Sequence, residues 1–208
     1  MNSRIRKSSV ERRKDIVAAV LKIIGKQGFT SLSAQTIADE VGITPGALFR
    51  HYASLQEIFE EVVQQAITTL ETTFPDDSHP PLERLLELAR NRVHLLGASP
   101  GLAWLLRSEQ AYFTLPKTSV ALLRAIAGRS REYLLKALRE GASQGSVRND
   151  IEPEILLVSV MGTIHALIGM PGIHKLTIAG QKVELGRVLA ALEILVSPPV
   201  KAGTEHPE

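Results

Sequence analysis

The 208-residue chain contains no cysteine. That excludes disulfide scaffolds, thiol catalysis, thiolate metal sites and iron–sulfur clusters. It also lacks a Gly-rich phosphate loop, a G-x-S-x-G nucleophile elbow and an H-E-x-x-H helix. No nucleophile is paired with a base at a recognisable spacing, so no catalytic residue and no cofactor are expected. The six histidines show no metal-ligand spacing, and no metal is expected. The basic N-terminus is not followed by the apolar core of a signal peptide, which makes a cytoplasmic protein the default. What is present is 44% apolar and 22% charged residues, the composition of a globular chain with room for one or two domains.

Charge of neither sign dominates the whole, at 24 basic against 22 acidic side chains, but the distribution is uneven. Residues 1–60 carry nine basic and six acidic groups, and the remainder is slightly acidic. Arg4, Arg6, Lys7, Arg12, Arg13 and Lys14 face only Glu11 within the first fourteen positions. A basic lead-in to a folded segment suggests a polyanionic partner, although a solvated, disordered start has the same composition. Between Ile155 and His174 no residue carries a formal charge. That length matches a bilayer. Ser159, Thr163, Gly162, Gly169 and Pro171 interrupt it, and it reads as a buried helix, with no membrane partner.

Nearly every long segment has helical period, with no strand alternation and no internal repeat. The pattern predicts about nine helices: Val10–Lys26, Ser33–Val41, Pro45–Tyr52, Leu55 to about Thr73, Leu82–Leu96, a short one through Tyr112, Thr118–Glu140, Pro153–Met170 and Glu184–Val196. The fold class is therefore all-α. A basic first domain, residues 1–58, precedes a larger second domain, residues 59–197, and a Pro-rich tail, 198–208, reads as disordered.

The most specific stretch runs from Leu32 to Tyr52. Ser33 is placed to cap one short helix, and Gly42 stands where a positive φ ends it. Thr44 is placed to cap the next, with Pro45 at the first helical position, where a missing N–H costs nothing. Ile37, Val41, Ile43 and Leu48 fall inward, and Ala38 is small where two helices must cross closely. This is the pattern of a helix-turn-helix. A groove-reading helix presents small and polar groups from its N-terminal end, and here these are Thr44, Gly46, Ala47, Arg50 and His51. Ala47 suits a thymine methyl and Arg50 suits guanine or a phosphate. An αα-hairpin without a DNA role would share the helices but not the basic arm, the caps and the small outward face.

On these residues the segment from Ile16 to about Phe59 resembles the DNA-binding domain of TetR-family transcriptional regulators. Carrying the resemblance are Lys26-Gln27-Gly28-Phe29, the run Ile37 to Ile43, and the run Pro45 to Tyr52. Beyond Phe59 only the number and order of helices are similar. The resemblance implies a homodimer that binds double-stranded operator DNA, each subunit placing Pro45–Tyr52 in a major groove. It also implies a C-terminal domain that takes an unknown small-molecule inducer and dimerises through its last two helices. The DNA-facing set is then Ser33, Gln35, Thr44, Pro45, Gly46, Ala47, Phe49, Arg50 and His51, with Gln35 touching bases or backbone and His51 a phosphate. Phe49 stands where the family usually has a tyrosine, and Leu55 where it usually has a lysine, each a phosphate contact that positions the protein on the duplex. The basic arm is expected to compensate in part.

In the second domain, Ser159, Gly162, Ala166 and Gly169 form a small-residue stripe that permits close helix approach. The last helix carries Leu185, Val188, Leu192 and Leu195 on one broad apolar face. Two such helices suit a four-helix bundle made by two subunits, or equally an internal core. Trp104, Arg107, Glu109, Tyr112 and Phe113 crowd one short helix, and His165 lies on an apolar one. Trp104, Arg107, Tyr112, Phe113 and His165 are the candidate pocket lining. Two other readings are a helical DNA-associated scaffold or nucleoid-type protein without an inducer, and an enzyme in the larger domain.

Overall fold

Ser8 starts the first helix of the computed structural model, which describes residues 8–169, 177–178, 181–182 and 184–199. Its hydroxyl accepts from Glu11 N while Glu11 accepts from Ser8 N at 2.8 Å, so two of the end donors of helix α1 (Ser9–Gln27) are satisfied reciprocally. Gly28 closes α1 at φ 79°, and a 3-10 turn, Phe29–Ser31, leads on. Then come α2 (Ala34–Val41), α3 (Pro45–Leu48) and α4 (Leu55–Glu71). The rest is α5 (Pro81–Ala98), α6 (Pro100–Arg107), α7 (Glu109–Thr114), α8 (Lys117–Gln144), α9 (Pro153–Gly169) and α10 (Leu185–Val196).

The all-α class is observed, with two corrections of detail. Ten α-helices lie among the described residues, because Ser108 adopts an extended conformation (φ −83°, ψ 123°) and splits the expected single short helix into α6 and α7. A strand pair is also present, β1 (Thr177–Ile178) with β2 (Gln181–Lys182), antiparallel and paired Thr177 to Lys182. Two residues per strand are too few for alternation to register in a sequence.

The chain divides into two compact units. The first holds the chain up to Thr73 together with His94–Gly128. In it α1 packs on α2, α4 and α6. Its core includes Ile16, Val20 and Ile24 of α1, Ile37, Leu48, Ile58 and Val62. Phe29 joins it edge-to-face with Phe59 at 5.7 Å and stacked on Trp104 at 5.4 Å. The unit therefore extends past residue 58, because α4 buries one face here and α6 covers α1. Residue 58 falls inside α4 (Leu55–Glu71) and within this unit.

The second unit holds Phe74–Val93 and the chain from Arg129 onward. Leu85 and Leu88 of α5, Leu134 and Leu138 of α8, Leu156, Val160 and Ile164 of α9, and Leu189, Leu192 and Val196 of α10 form its core. Arg84 is buried within it and bonds Glu140 and, at 3.4 Å, Asp77. Arg148 ties the end of α10, its main-chain N–H donating to Val196 O at 2.8 Å and its guanidinium to Leu195 O at 3.2 Å. The uncharged stretch places Leu156, Val160, Ile164 and Leu167 in this core. No helix among the described residues is long and apolar enough to cross a membrane. Residues 1–7 of the basic arm and 200–208 of the tail lie outside the described residues.

Candidate nucleic-acid interface

The helix-turn-helix is built by local caps. Ser33 Oγ accepts from Thr36 N at 3.1 Å, and Thr36 Oγ1 accepts from Ser33 N at 2.9 Å, which fixes the start of α2. Gly42 ends it in the left-handed region at φ 72°, ψ 40°. A side chain there would be strained although nothing lies within 4 Å of where a Cβ would be. Thr44 Oγ1 accepts from Ala47 N at 3.1 Å, and Pro45 fills the first position of α3.

The recognition helix is shorter than the expected Pro45–Tyr52. Regular α-helix covers Pro45–Leu48 only. Arg50 N then bonds Ala47 O at 3.3 Å and His51 N bonds Leu48 O at 3.0 Å, the i to i−3 spacing of a tightened end. The cause is the next residue, Tyr52, which is buried, so the chain must turn inward after His51.

Leu48 is fully buried and is the one buried residue of α3. On the outward side Thr44, Gly46, Phe49 and Arg50 are exposed, and Pro45, Ala47 and His51 are half-buried. Nothing lies within 4 Å of a Cβ at Gly46. Phe49 exposes 44% of its surface with no hydroxyl to offer. Gln35 on α2 is exposed, with its amide donating to Asp39 at 2.7 Å. Ser33, by contrast, is occupied as a cap. The exposed members of the predicted set are thus Gln35, Thr44, Gly46, Phe49 and Arg50.

Two of the basic residues assigned to the arm are used inside the fold. Because α1 begins at Ser9, Arg12 and Arg13 are helical, and Arg12 pairs with Asp15 at 3.6 Å. Arg13 turns toward α4, where its Nε donates to Glu61 at 2.8 Å and its Nη2 to Glu57 at 3.2 Å. Hydrogen bonding to Glu61 holds the guanidinium's affinity for its proton above the ordinary arginine range. Burial raises the pKa of the neighbouring Tyr52 phenol, with Glu61 adding to it. Neither group titrates near neutral pH. Sequence reasoning missed this cluster, since no spacing rule links Arg13 to residues 44 and 48 positions away.

Of the candidate pocket residues, Trp104, Arg107, Tyr112 and Phe113 lie in the first unit and His165 in the second. Trp104 is half-buried and stacked on Phe29, Tyr112 lies under the Arg124 guanidinium at 5.6 Å, and Arg107 is exposed with its Nε donating to Ala103 O. Phe113 is 89% exposed and so lines no enclosed space in the single chain. His165 is exposed and belongs to the second unit. An open cavity of about 390 Å³ lies instead beside α1 and the start of α6, lined by Leu21, Lys22, Gly25, Ser99, Pro100 and Gly101 among others. His79, Glu83 and Glu87 form a grouping that histidine spacing alone did not suggest: their donor atoms lie within 4.8 Å of one another and His79 Nδ1 is 3.1 Å from Glu87. Glu83 lies in the first turn of α5, where a carboxylate meets the helix dipole without any metal.

The interface residues divide by side. Ser159, Gly162 and Ala166 are exposed on α9, and a Cβ at Gly162 would meet nothing within 4 Å; the exposure of Gly169 lies outside what is described. On α10, Leu192 is a correction: it is 1% exposed in the core of its own unit, and Leu185 and Val188 pack against that core. Leu195 and Ile194 point outward, with Ile194 75% exposed. The helix is apolar on both sides, so its sequence does not tell the inner from the outer face.

Comparison with known proteins places this geometry. The family model for bacterial regulatory proteins of the tetR family matches residues 16–62. A nucleoid occlusion factor, SlmA of Vibrio campbellii, is 26% identical over 161 residues, covering 74% of this chain and 80% of that protein. An HTH-type transcriptional regulator of Staphylococcus aureus, SAB2452, is 32% identical over 82 residues, covering 38% of this chain and 44% of that protein. Among solved structures, AibR in complex with isovaleryl coenzyme A and operator DNA superposes with a TM-score of 0.72 at 19% identity, covering 91% of this chain and all of that one.

Proposed function

We propose that the chain, whose residues 16–62 match the model for bacterial regulatory proteins of the tetR family, is a DNA-binding transcriptional regulator of that family, a cytoplasmic repressor that binds its operator as a homodimer and is released by a small molecule. The observation that carries this reading is the capped turn that presents Thr44, Gly46 and Arg50 outward while Leu48 alone is buried. A helix start with small exposed side chains can approach base edges closely, and Arg50 supplies the charged donor pair. No catalytic role is assigned to either unit. An effector releases DNA only by binding the arrangement unfit for DNA more tightly than the fit one.

Arg50→Ala tests the site. If Arg50 forks onto a guanine, the variant loses about 1–3 kcal/mol on operator DNA and little on random DNA. An equal loss on both, with a salt dependence lower by about one, assigns Arg50 to a phosphate instead.

Homodimerisation is supported by the outer face of the last two helices. Ile155 and Val158 on α9 and Ile194 and Leu195 on α10 are all more than half exposed, around the small residues Ser159, Gly162 and Ala166. Large apolar side chains in one patch mark an interaction surface. Ile194→Glu is expected to convert a dimer into monomers in sedimentation velocity, with the melting of the monomer little changed because Ile194 packs nothing internally. A monomeric wild type sinks the dimer reading.

A nucleoid-associated role is the second reading, favoured by the similarity to a nucleoid occlusion factor over 74% of the chain. Chromosome-wide occupancy separates the two. A repressor occupies few sites, whose adjacent transcripts rise on deletion, whereas a nucleoid factor occupies many dispersed sites with transcripts unchanged.

A further inference from the structure

We propose that Arg13 positions the DNA-reading turn from behind, as a clamp between α1, the turn and α4, and is not one of the basic residues that meet phosphate. The inference rests on the DNA-binding reading above. Arg13 Nη1 donates to the main-chain oxygen of His51 at 2.9 Å. That carbonyl lies past the end of α3, where the helix provides no further N–H, so the guanidinium satisfies an acceptor the short helix leaves open. The cation lies 4.1 Å from the centroid of the buried Tyr52 ring, and the Tyr52 hydroxyl donates back to Arg13 O at 3.4 Å. On its other edge the same guanidinium bonds Glu61 through both Nε and Nη2, and Glu57 through Nη2. Glu57 in turn accepts from Ala53 N at 2.6 Å. Consecutive residues of the turn, His51, Tyr52 and Ala53, are therefore fixed through one side chain and its partners.

Charge and geometry both argue against a phosphate role. Of the five guanidinium N–H donors, four are engaged by these bonds. Two carboxylates already face the single positive charge, so the cluster as a whole does not attract a polyanion. The fork is also specific to arginine. A lysine carries the same charge on a flexible stem, and it cannot reach a carbonyl on one edge and two carboxylates on the other in one plane. A phosphate contact, which needs only the charge, would tolerate lysine.

The test uses the full chain and a duplex that the wild-type protein itself enriches from random-sequence DNA. Arg13→Lys and Arg13→Gln are each measured on that duplex and on an unselected one, over a salt series, at a temperature where both variants are folded by circular dichroism. Both substitutions are expected to weaken the selected duplex at least tenfold. Binding to the unselected duplex and the slope of log affinity against log salt stay at wild-type values. Wild-type affinity in Arg13→Lys overturns the proposal. So does a slope lower by about one with parallel loss on both duplexes, the signature of a lost phosphate contact. Should the Arg13 variants not fold, Glu61→Gln answers the same question, with a several-fold loss confined to the selected duplex expected and no loss overturning the proposal. If the wild type enriches no sequence, the DNA reading fails, and this inference fails with it.

Discussion

Replacing Gly101 with alanine lowers the melting temperature by roughly 6–12 °C, a destabilisation of about 3 kcal/mol for a chain of this size. At Gly101 an added Cβ would fall 1.8 Å from the main-chain oxygen of Leu21 and 2.6 Å from its carbonyl carbon. Gly25, on the same face of α1, would place a Cβ 2.7 Å from Gly101 N. The two helices therefore meet backbone to backbone, and no flexible side chain is available to give way. Relief requires α6 to move off α1, which also disturbs Trp104 on Phe29. Gly46→Ala is the control, because a Cβ there meets nothing within 4 Å and its change should stay within about 0.5 kcal/mol. Thermal melts of the two variants side by side decide the matter. Equal melting temperatures would mean that α1 and α6 are not in backbone contact.

Leu48→Ala is expected to cost about 3 kcal/mol, in the range for truncating a fully buried leucine. Its effect on DNA binding should exceed its share of stability. Helix α3 has four residues and one inward anchor, so removing Leu48 frees the whole reading surface while the core formed by Ile16, Ile37 and Ile58 persists. Operator affinity should fall at least tenfold at temperatures where the variant is still folded. Leu48→Met, which keeps the volume, should cost less than about 1.5 kcal/mol and retain binding. A Leu48→Ala variant with wild-type melting and wild-type affinity would contradict the packing described for α3.

The caps of the helix-turn-helix were legible because each is settled within a few residues. Ser33, Gly42, Thr44 and Pro45 sit where the sequence places them, since a hydroxyl, a left-handed φ and a missing N–H act locally. The length of α3 was less legible, because it ends on the burial of Tyr52, a property of the tertiary fold. Arg13 reads as one more charge in a basic lead-in until α4 is folded against α1, its partners being 38 to 48 residues away. The stacking of Trp104 on Phe29 was not legible for the same reason, as Phe29 belongs to a different helix junction. Ser108 breaks α6 from α7 without the glycine or proline that would announce it. Periodicity located α10, but apolar residues on both of its sides left Leu192 and Leu195 indistinguishable.

Binding of the purified chain to the DNA flanking its own gene tests the central claim most directly, by fluorescence anisotropy at two salt concentrations with a scrambled duplex as control. The account predicts tight binding at near-physiological salt that prefers the flanking duplex by at least a thousandfold. It also predicts that Leu48→Ala abolishes the preference. Weak binding, equal on both duplexes and lost as salt rises, would contradict a local operator for the reading surface centred on Thr44, Gly46 and Arg50. The same result on duplexes selected from random sequence would remove the sequence-specific reading altogether.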